Sequence, residues 1–145
     1  MADTKINIAI DDVIALAQCT FYRSLTRSFK DSGKNITVEQ WTMLKHIYEN
    51  KGITQQAIAN CSNKDKHSVC RLIDNMQKQQ WVVRMPDKAD KRINHLYLTE
   101  QGKKLHNQLY DLVQNYKSKA VKGISVTELK ACSQILNRVT ANMAR

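Results

Sequence analysis

Apolar residues recur at three- and four-residue steps along almost all of this 145-residue chain, and one stretch breaks the rhythm. Between Trp81 and Thr99 the pattern becomes the two-residue alternation of strands, WVVRM and INHLYLT. The loop joining them is unusual, because five of the six residues from Asp87 to Arg92 are charged. Helical periodicity everywhere else, with room for one hairpin, predicts a mainly α fold carrying a small β-hairpin. Four Gly and one Pro are too few for an all-β chain full of tight turns.

Ile10, Val13, Ile14, Ala17, Phe21 and Leu25 place a long amphipathic helix over residues 9–30, ended by Gly33. Thr37 with Gln40 forms a capping-box signal for a second helix, with Trp41, Leu44 and Ile47 facing inward. Thr54 is the expected N-cap of a short third helix that turns Ala57 and Ile58 inward. Asn63 falls where a tight turn needs a left-handed residue, and Asp65 can cap a fourth helix running to about Gln79. Beyond the hairpin, Thr99 can cap a long fifth helix with Leu105, Leu109, Leu112, Val113 and Tyr116 inside. Ser125 with Glu128 opens a sixth, with Leu129, Ile135, Leu136, Val139 and Met143 inside.

Short helix, tight turn and longer helix make a helix-turn-helix, whose second helix enters the DNA major groove. On that helix Val69, Leu72, Ile73 and Met76 form the core arc. The opposite stripe holds His67, Arg71, Asp74 and Lys78, with Ser68 at its margin and Lys66 near its start. Asp74 suits a phosphate-lined groove poorly, and Lys78 at i+4 is its expected partner. A hairpin directly after such a pair is a wing. Lys88, Lys91 and Arg92 supply cations for a narrow, electronegative minor groove, while Asp87 or Asp90 holds the turn and braces an Arg.

Charge agrees with this placement. The chain carries 23 basic and 13 acidic residues, a formal +10. Residues 1–50 are neutral, with six of each sign, whereas residues 51–104 hold eleven basic against five acidic. A basic middle points to a polyanion. The start MADTKINIAIDD lacks the long apolar run of a signal peptide, and no run reaches the length of a membrane span, so the expected location is cytoplasmic. Cys19, Cys61, Cys70 and Cys132 form no C-x-x-C and are expected to be reduced thiols. His46, His67, His95 and His106 show no metal-site spacing, and no phosphate loop or nucleophile motif occurs, so neither a cofactor nor an enzyme is expected.

The segment from Ile53 to Leu105 resembles the winged helix-turn-helix core of the MarR (multiple-antibiotic-resistance regulator) family, and the surrounding helix order fits as well. The most specific part is Asp90-Lys91-Arg92 followed by Leu98-Thr99-Glu100-Gln101-Gly102. The family's wing Arg falls on Arg92 and its bracing Asp on Asp90. Two departures are Ala89, where many members carry a further Arg, and Asn63 in place of the usual turn Gly. The resemblance implies a homodimer on a pseudo-palindromic operator, usually a repressor released by a small effector or by thiol oxidation. It places the effector pocket beside the first, second and fifth helices.

The expected organisation is one domain over residues 1–145. A DNA-binding lobe spans about 36–100, and dimerisation helices span about 5–32 and 101–145, because one chain would struggle to cover both outer apolar stripes; the alternative is that they pack on each other in a monomer. The expected DNA-binding set is Thr54, Gln55, Lys64, Lys66, His67, Ser68, Arg71, Lys88, Lys91 and Arg92, with Asp90 as brace. Two alternatives stand beside it: a winged helix used for protein–protein contact, and a thiol-based sensor. For the latter, Cys19 has Arg23 at i+4, although the reactive position of peroxide-sensing relatives falls nearer Val13. Tyr22, Tyr48 and Trp41 could line an aromatic-ligand pocket, but at helical spacing they read as core.

Overall fold

The computed structural model describes residues 9–62 and 64–144. The turn expected at Asn63 and the start of the first dimerisation segment, residues 5–8, lie outside them. Six helices and one hairpin follow in order: α1 (Ile10–Asp31), α2 (Val38–Glu49), α3 (Gln55–Ser62), α4 (Lys66–Lys78), β1 (Val82–Pro86), β2 (Asn94–Leu98), α5 (Glu100–Ala120) and α6 (Val126–Met143). The chain divides into two compact units, Met1–Val113 and Gln114–Arg145, with the division inside α5.

The caps read from sequence form as hydrogen bonds. Thr37 and Ser125 both make complete capping boxes, with Gln40 and Glu128 respectively. Thr54 Oγ1 accepts from the Ala57 amide at 3.1 Å, and Thr99 Oγ1 accepts from the Gly102 amide at 3.0 Å. Each satisfies an amide that a helix start would leave unpaired. α1 ends where Gly33 takes a φ of 73° and the Gly33 and Lys34 amides donate back to the Lys30 and Phe29 carbonyls. α4 ends in the same way on Gln80, a non-glycine residue with a φ of 63°, as the Trp81 amide donates to the Met76 carbonyl.

The core of the first unit joins Leu25 and Phe29 of α1 to Met43, Leu44 and Ile47 of α2, with Ile58, Val69, Ile73, Met76, Val82, Leu96 and Leu109. Ala57 and Leu72 are half-buried, and Ala59 takes the inward place on α3. The apolar stripe of α1 ahead of Leu25 is different. Ile10, Val13, Ile14 and Phe21 are all exposed in the single chain. In the second unit α6 buries none of its residues, and Ile135, Leu136 and Met143 lie open. Large apolar side chains repeated on one helix face and left in water are the usual mark of an interaction surface.

β1 and β2 pair antiparallel in a register that sets Val83 opposite Tyr97, Arg84 opposite Leu96 and Met85 opposite His95. The other edge of β2 is also occupied. The Gly52 amide donates to the Leu96 carbonyl at 3.1 Å, and the Leu96 amide donates to the Ile53 carbonyl at 2.9 Å. β2 is therefore the middle strand between β1 and the segment that leads into α3.

Gly102 shows how tightly α5 seats on this unit. A Cβ at Gly102 would fall on the backbone carbonyl of Trp81, the same carbonyl that accepts from the Thr99 amide at 3.0 Å. Backbone cannot swing aside as a long side chain can. Gly102→Ala should cost about 1–3 kcal/mol through overpacking, despite alanine's better helix propensity. An unchanged melting curve would show that α5 is not seated this closely.

Candidate nucleic-acid interface

α4 owes its start to Asp65. One carboxylate oxygen accepts from the Ser68 amide at 2.9 Å and the other from the Ser68 hydroxyl at 2.9 Å. The Ser68 amide, above all, holds this carboxyl below its ordinary value of 3.8. Ser68 is thus half-buried and engaged in the cap, whereas Lys66, His67 and Arg71 are exposed along the outer face. Among the described residues none of these three forms an ion pair.

The charged loop is built around two aspartates. The Asp87 amide donates to the Ile93 carbonyl at 2.8 Å, which closes the loop. Inside it, Asp87 Oδ2 accepts from the Ala89 and Asp90 amides, each at 3.0 Å. Asp90 in turn grips Arg92: its Oδ1 accepts from the Arg92 amide at 3.0 Å and from Nε at 3.1 Å, and its Oδ2 accepts from Nη2 at 3.2 Å. The guanidinium is the main cause of the lowered Asp90 pKa. Yet the Arg92 side chain remains 91% exposed. A largely exposed cation, held in direction by Asp90, is presented outward.

His95 anchors the loop from beneath. Its Nε2 lies 2.8 Å from Asp87 Oδ1 and its Nδ1 lies 2.8 Å from the Gly52 carbonyl oxygen. Asp87 falls to about 2, chiefly through this bond to His95, and His95 is raised above 6.5, chiefly through the same bond.

α3, α4 and the hairpin enclose a cleft of about 580 Å³, lined on the helix side by Thr54, Gln55, Lys66 and His67 and on the hairpin side by Arg92, Ile93 and Asn94. Five of the residues expected to bind DNA therefore converge here. The others lie elsewhere. Lys64 is 3.6 Å from Glu39 on α2, Ser68 serves the cap, and Arg71 lies further along the exposed face. Lys88 and Lys91 stand exposed on the loop, Lys88 on the outer side of the hairpin.

Arg84 was missed by the sequence reading, and it corrects one expectation. Asp74 pairs not with Lys78 but with Arg84, whose Nη1 lies 2.7 Å from Asp74 Oδ1. The same guanidinium donates to Gln55 Oε1 at 3.1 Å, to Gln77 Oε1 at 2.8 Å and to the Cys70 carbonyl at 3.4 Å. Its planar fork reaches several acceptors at once from a fixed strand position, which a flexible lysine one helical turn away does not match. A side chain on β1 thereby fastens α3 and α4. The sequence signal was its inward phase in the alternation, between outward Val83 and Met85.

The four cysteines are free, with Cys70 half-buried and Cys19, Cys61 and Cys132 exposed. Trp41 is buried, whereas Tyr48 and Tyr22 are exposed. Tyr48 stacks on the buried His106 ring at a centroid distance of 3.7 Å. No helix among the described residues is long and apolar enough to cross a membrane.

Residues 34–93 match the model of the MarR family. The chain is 32% identical over 117 residues to YybA of Bacillus subtilis, an uncharacterised HTH-type transcriptional regulator, covering 81% of this chain and 77% of that one. Its fold matches that of the transcriptional regulator SlyA with a TM-score of 0.84 at 26% identity, covering 94% of each chain. It also matches a mutant of Escherichia coli MarR complexed with operator DNA, with a TM-score of 0.83 at 24% identity, covering 91% of this chain and 94% of that one. Helix-turn-helix, hairpin, register and similarity agree, and the chain belongs to the MarR family of winged-helix transcriptional regulators.

Proposed function

We propose that this protein binds duplex DNA as a homodimer and represses transcription until a small effector releases it. The single observation that carries the reading is the cleft between α4 and the wing, where Lys66, His67 and the braced Arg92 converge without acidic partners other than the brace. The basic balance of residues 51–104 supplies the wider field that draws in a polyanion. α4 enters the major groove, with Arg71, His67 and Lys66 towards bases and phosphates. Arg92, Lys88 and Lys91 address the neighbouring minor groove, where narrow walls concentrate negative potential. Thr54, Gln55, Lys64 and Ser68 support this surface from their positions around α3 and the start of α4.

The exposed stripes of α1 and α6 are the surfaces on which two copies join. A pseudo-palindromic operator follows from two-fold symmetry, since each half-site meets one α4 and one wing. The protein acts in the cytoplasm as a binding protein, not an enzyme. The E. coli MarR structure with operator DNA supports the mode of binding by its shared fold.

Duplex binding whose affinity falls steeply with added salt is the first test, and its absence would favour a winged helix used for protein contact. Arg92→Ala should keep the melting curve and weaken binding to operator and random duplex alike, because a minor-groove cation reads shape and charge. Arg71→Ala should cost discrimination as well, by about 1–3 kcal/mol per half-site if its contact is bidentate to a base. Equal losses on operator and random DNA would make Arg71 a phosphate contact.

Arg84→Ala touches no DNA in this reading yet should weaken binding, since it frees α4 from β1. Combined with Asp74→Ala, the losses should be less than additive, as both cut one ion pair. Strict additivity would separate their roles.

Leu136→Glu should lower the dimer's mass towards the monomer in light scattering, because a carboxylate in a covered apolar stripe lacks a partner. A dimer as tight as the wild type would exclude α6 from the interface.

A further inference from the structure

Both nitrogens of His95 face acceptors that cannot donate. A peptide carbonyl oxygen stands 2.8 Å from Nδ1, and a carboxylate oxygen 2.8 Å from Nε2. A neutral imidazole carries one N–H and can satisfy only one of them. Only the imidazolium, with an N–H on each nitrogen, can donate to both.

The two acceptors belong to parts of the molecule with different tasks. Gly52 lies in the turn between α2 and α3, at the root of the helix-turn-helix. Asp87 begins the wing loop and orders it through the Ala89 and Asp90 amides, and Asp90 then aims Arg92. A chain of named bonds thus runs from Gly52 through His95, Asp87 and Asp90 to Arg92. We propose that His95 is a positioning residue for DNA binding: as an imidazolium it fixes the wing's pose against the helix-turn-helix, and duplex affinity falls when it gives up its proton. This rests on the duplex-binding reading above.

The surroundings leave Asp87 as the group that decides the charge. It is the ion-pair partner of His95 among the described residues. Lys88 lies on the same outer side of the hairpin, with Tyr97 next along β2, and Lys51 precedes Gly52 in the turn. Neither lysine contacts the ring, whereas Asp87 bonds to it directly. The His95 side chain is 29% exposed, so protons exchange with solvent without any opening of the fold.

The direction follows from linkage. His95 is raised above its ordinary value of 6.5. Its contribution is complete below that value and is lost as pH rises through the raised one. Asp87 is lowered from 3.8 to about 2, so its side of the clamp persists through the acidic range and fails only as pH falls towards about 2. The clamp is whole from mildly acidic to near-neutral pH and opens on the alkaline side. One proton per protomer can change affinity by at most about ten-fold per pH unit.

The test is the pH profile of affinity for a random-sequence duplex, measured for the wild type, His95→Gln and Asp87→Asn, with melting curves for each. The wild type should lose about three- to ten-fold per protomer across the titration of one linked proton. His95→Gln should be weak throughout, with a flatter profile. Asp87→Asn keeps the ring but removes the carboxylate, and should move the fall to lower pH. Parallel profiles for the wild type and His95→Gln, or an unmoved midpoint in Asp87→Asn, would overturn the proposal. A second arm needs no DNA: protection of the Ala89 and Asp90 amides, taken relative to the base-catalysed intrinsic exchange rate at each pH, should fall as the His95 ring titrates in NMR spectra. A wild type that binds no duplex at any pH would sink the regulator reading, and the NMR arm would still judge the clamp, which protection indifferent to the His95 titration would overturn.

Discussion

Everything that lets this chain grip DNA depends on β2 being held along both edges. On one side it pairs with β1, and on the other the Gly52 amide and the Ile53 carbonyl bond to Leu96. A hairpin of two five-residue strands is marginal by itself in water. Here its inner face also supplies Val82 and Leu96 to the core beneath α4. The backbone ladder and the buried residues act together. Wing and helix-turn-helix are therefore one body, and their two exposed surfaces keep a fixed separation.

Side chains finish what the ladder starts, and they do so from opposite faces of the hairpin. Arg84 points inward from β1 and joins α3 to α4 through Gln55, Asp74 and Gln77. His95 points outward from β2 and joins the α2–α3 turn to the wing loop. Neither residue need touch DNA. Each converts an otherwise separate element into part of a rigid reading head, which reduces the ordering that binding must accomplish. Asp74, an awkward charge on a DNA-facing helix, is neutralised in the same arrangement.

Periodicity and capping made the helices legible in the sequence, because both are local. Thr37, Thr54, Asp65, Thr99 and Ser125 each signal a helix start within three residues of the amide they serve. The wing brace was legible for the same reason, with Asp90 two residues from Arg92. The contacts that were missed span longer distances in sequence. His95 meets a carbonyl 43 residues earlier, and Arg84 meets Gln55 across 29. A strand's alternation says which side a residue faces but not what lies opposite, so Arg84 and His95 read only as polar residues in a hairpin. The pairing of Asp74 with Lys78 was expected from helix geometry alone, and a tertiary partner with better geometry displaced it.

The same distinction applies to the apolar stripes of α1 and α6, which are legible as periodicity and stay open within one chain. Ile10, Val13, Ile14 and Phe21 keep helical phase with Leu25, yet burial begins only at Leu25. A helix whose C-terminal end lies in its own core and whose earlier turns stay apolar in water has two different surroundings to satisfy. α6 carries the pattern further, with an apolar stripe and no buried residue. Such sequences cost solubility unless a second surface covers them. Two-fold pairing is the closed solution, since one patch then serves both copies. It also gives the recognition helix its partner, because a single α4 with one wing reads only half of a palindrome. Apolar stripes left open on two helices and a basic cleft present once per chain are both features that a two-fold pair would complete.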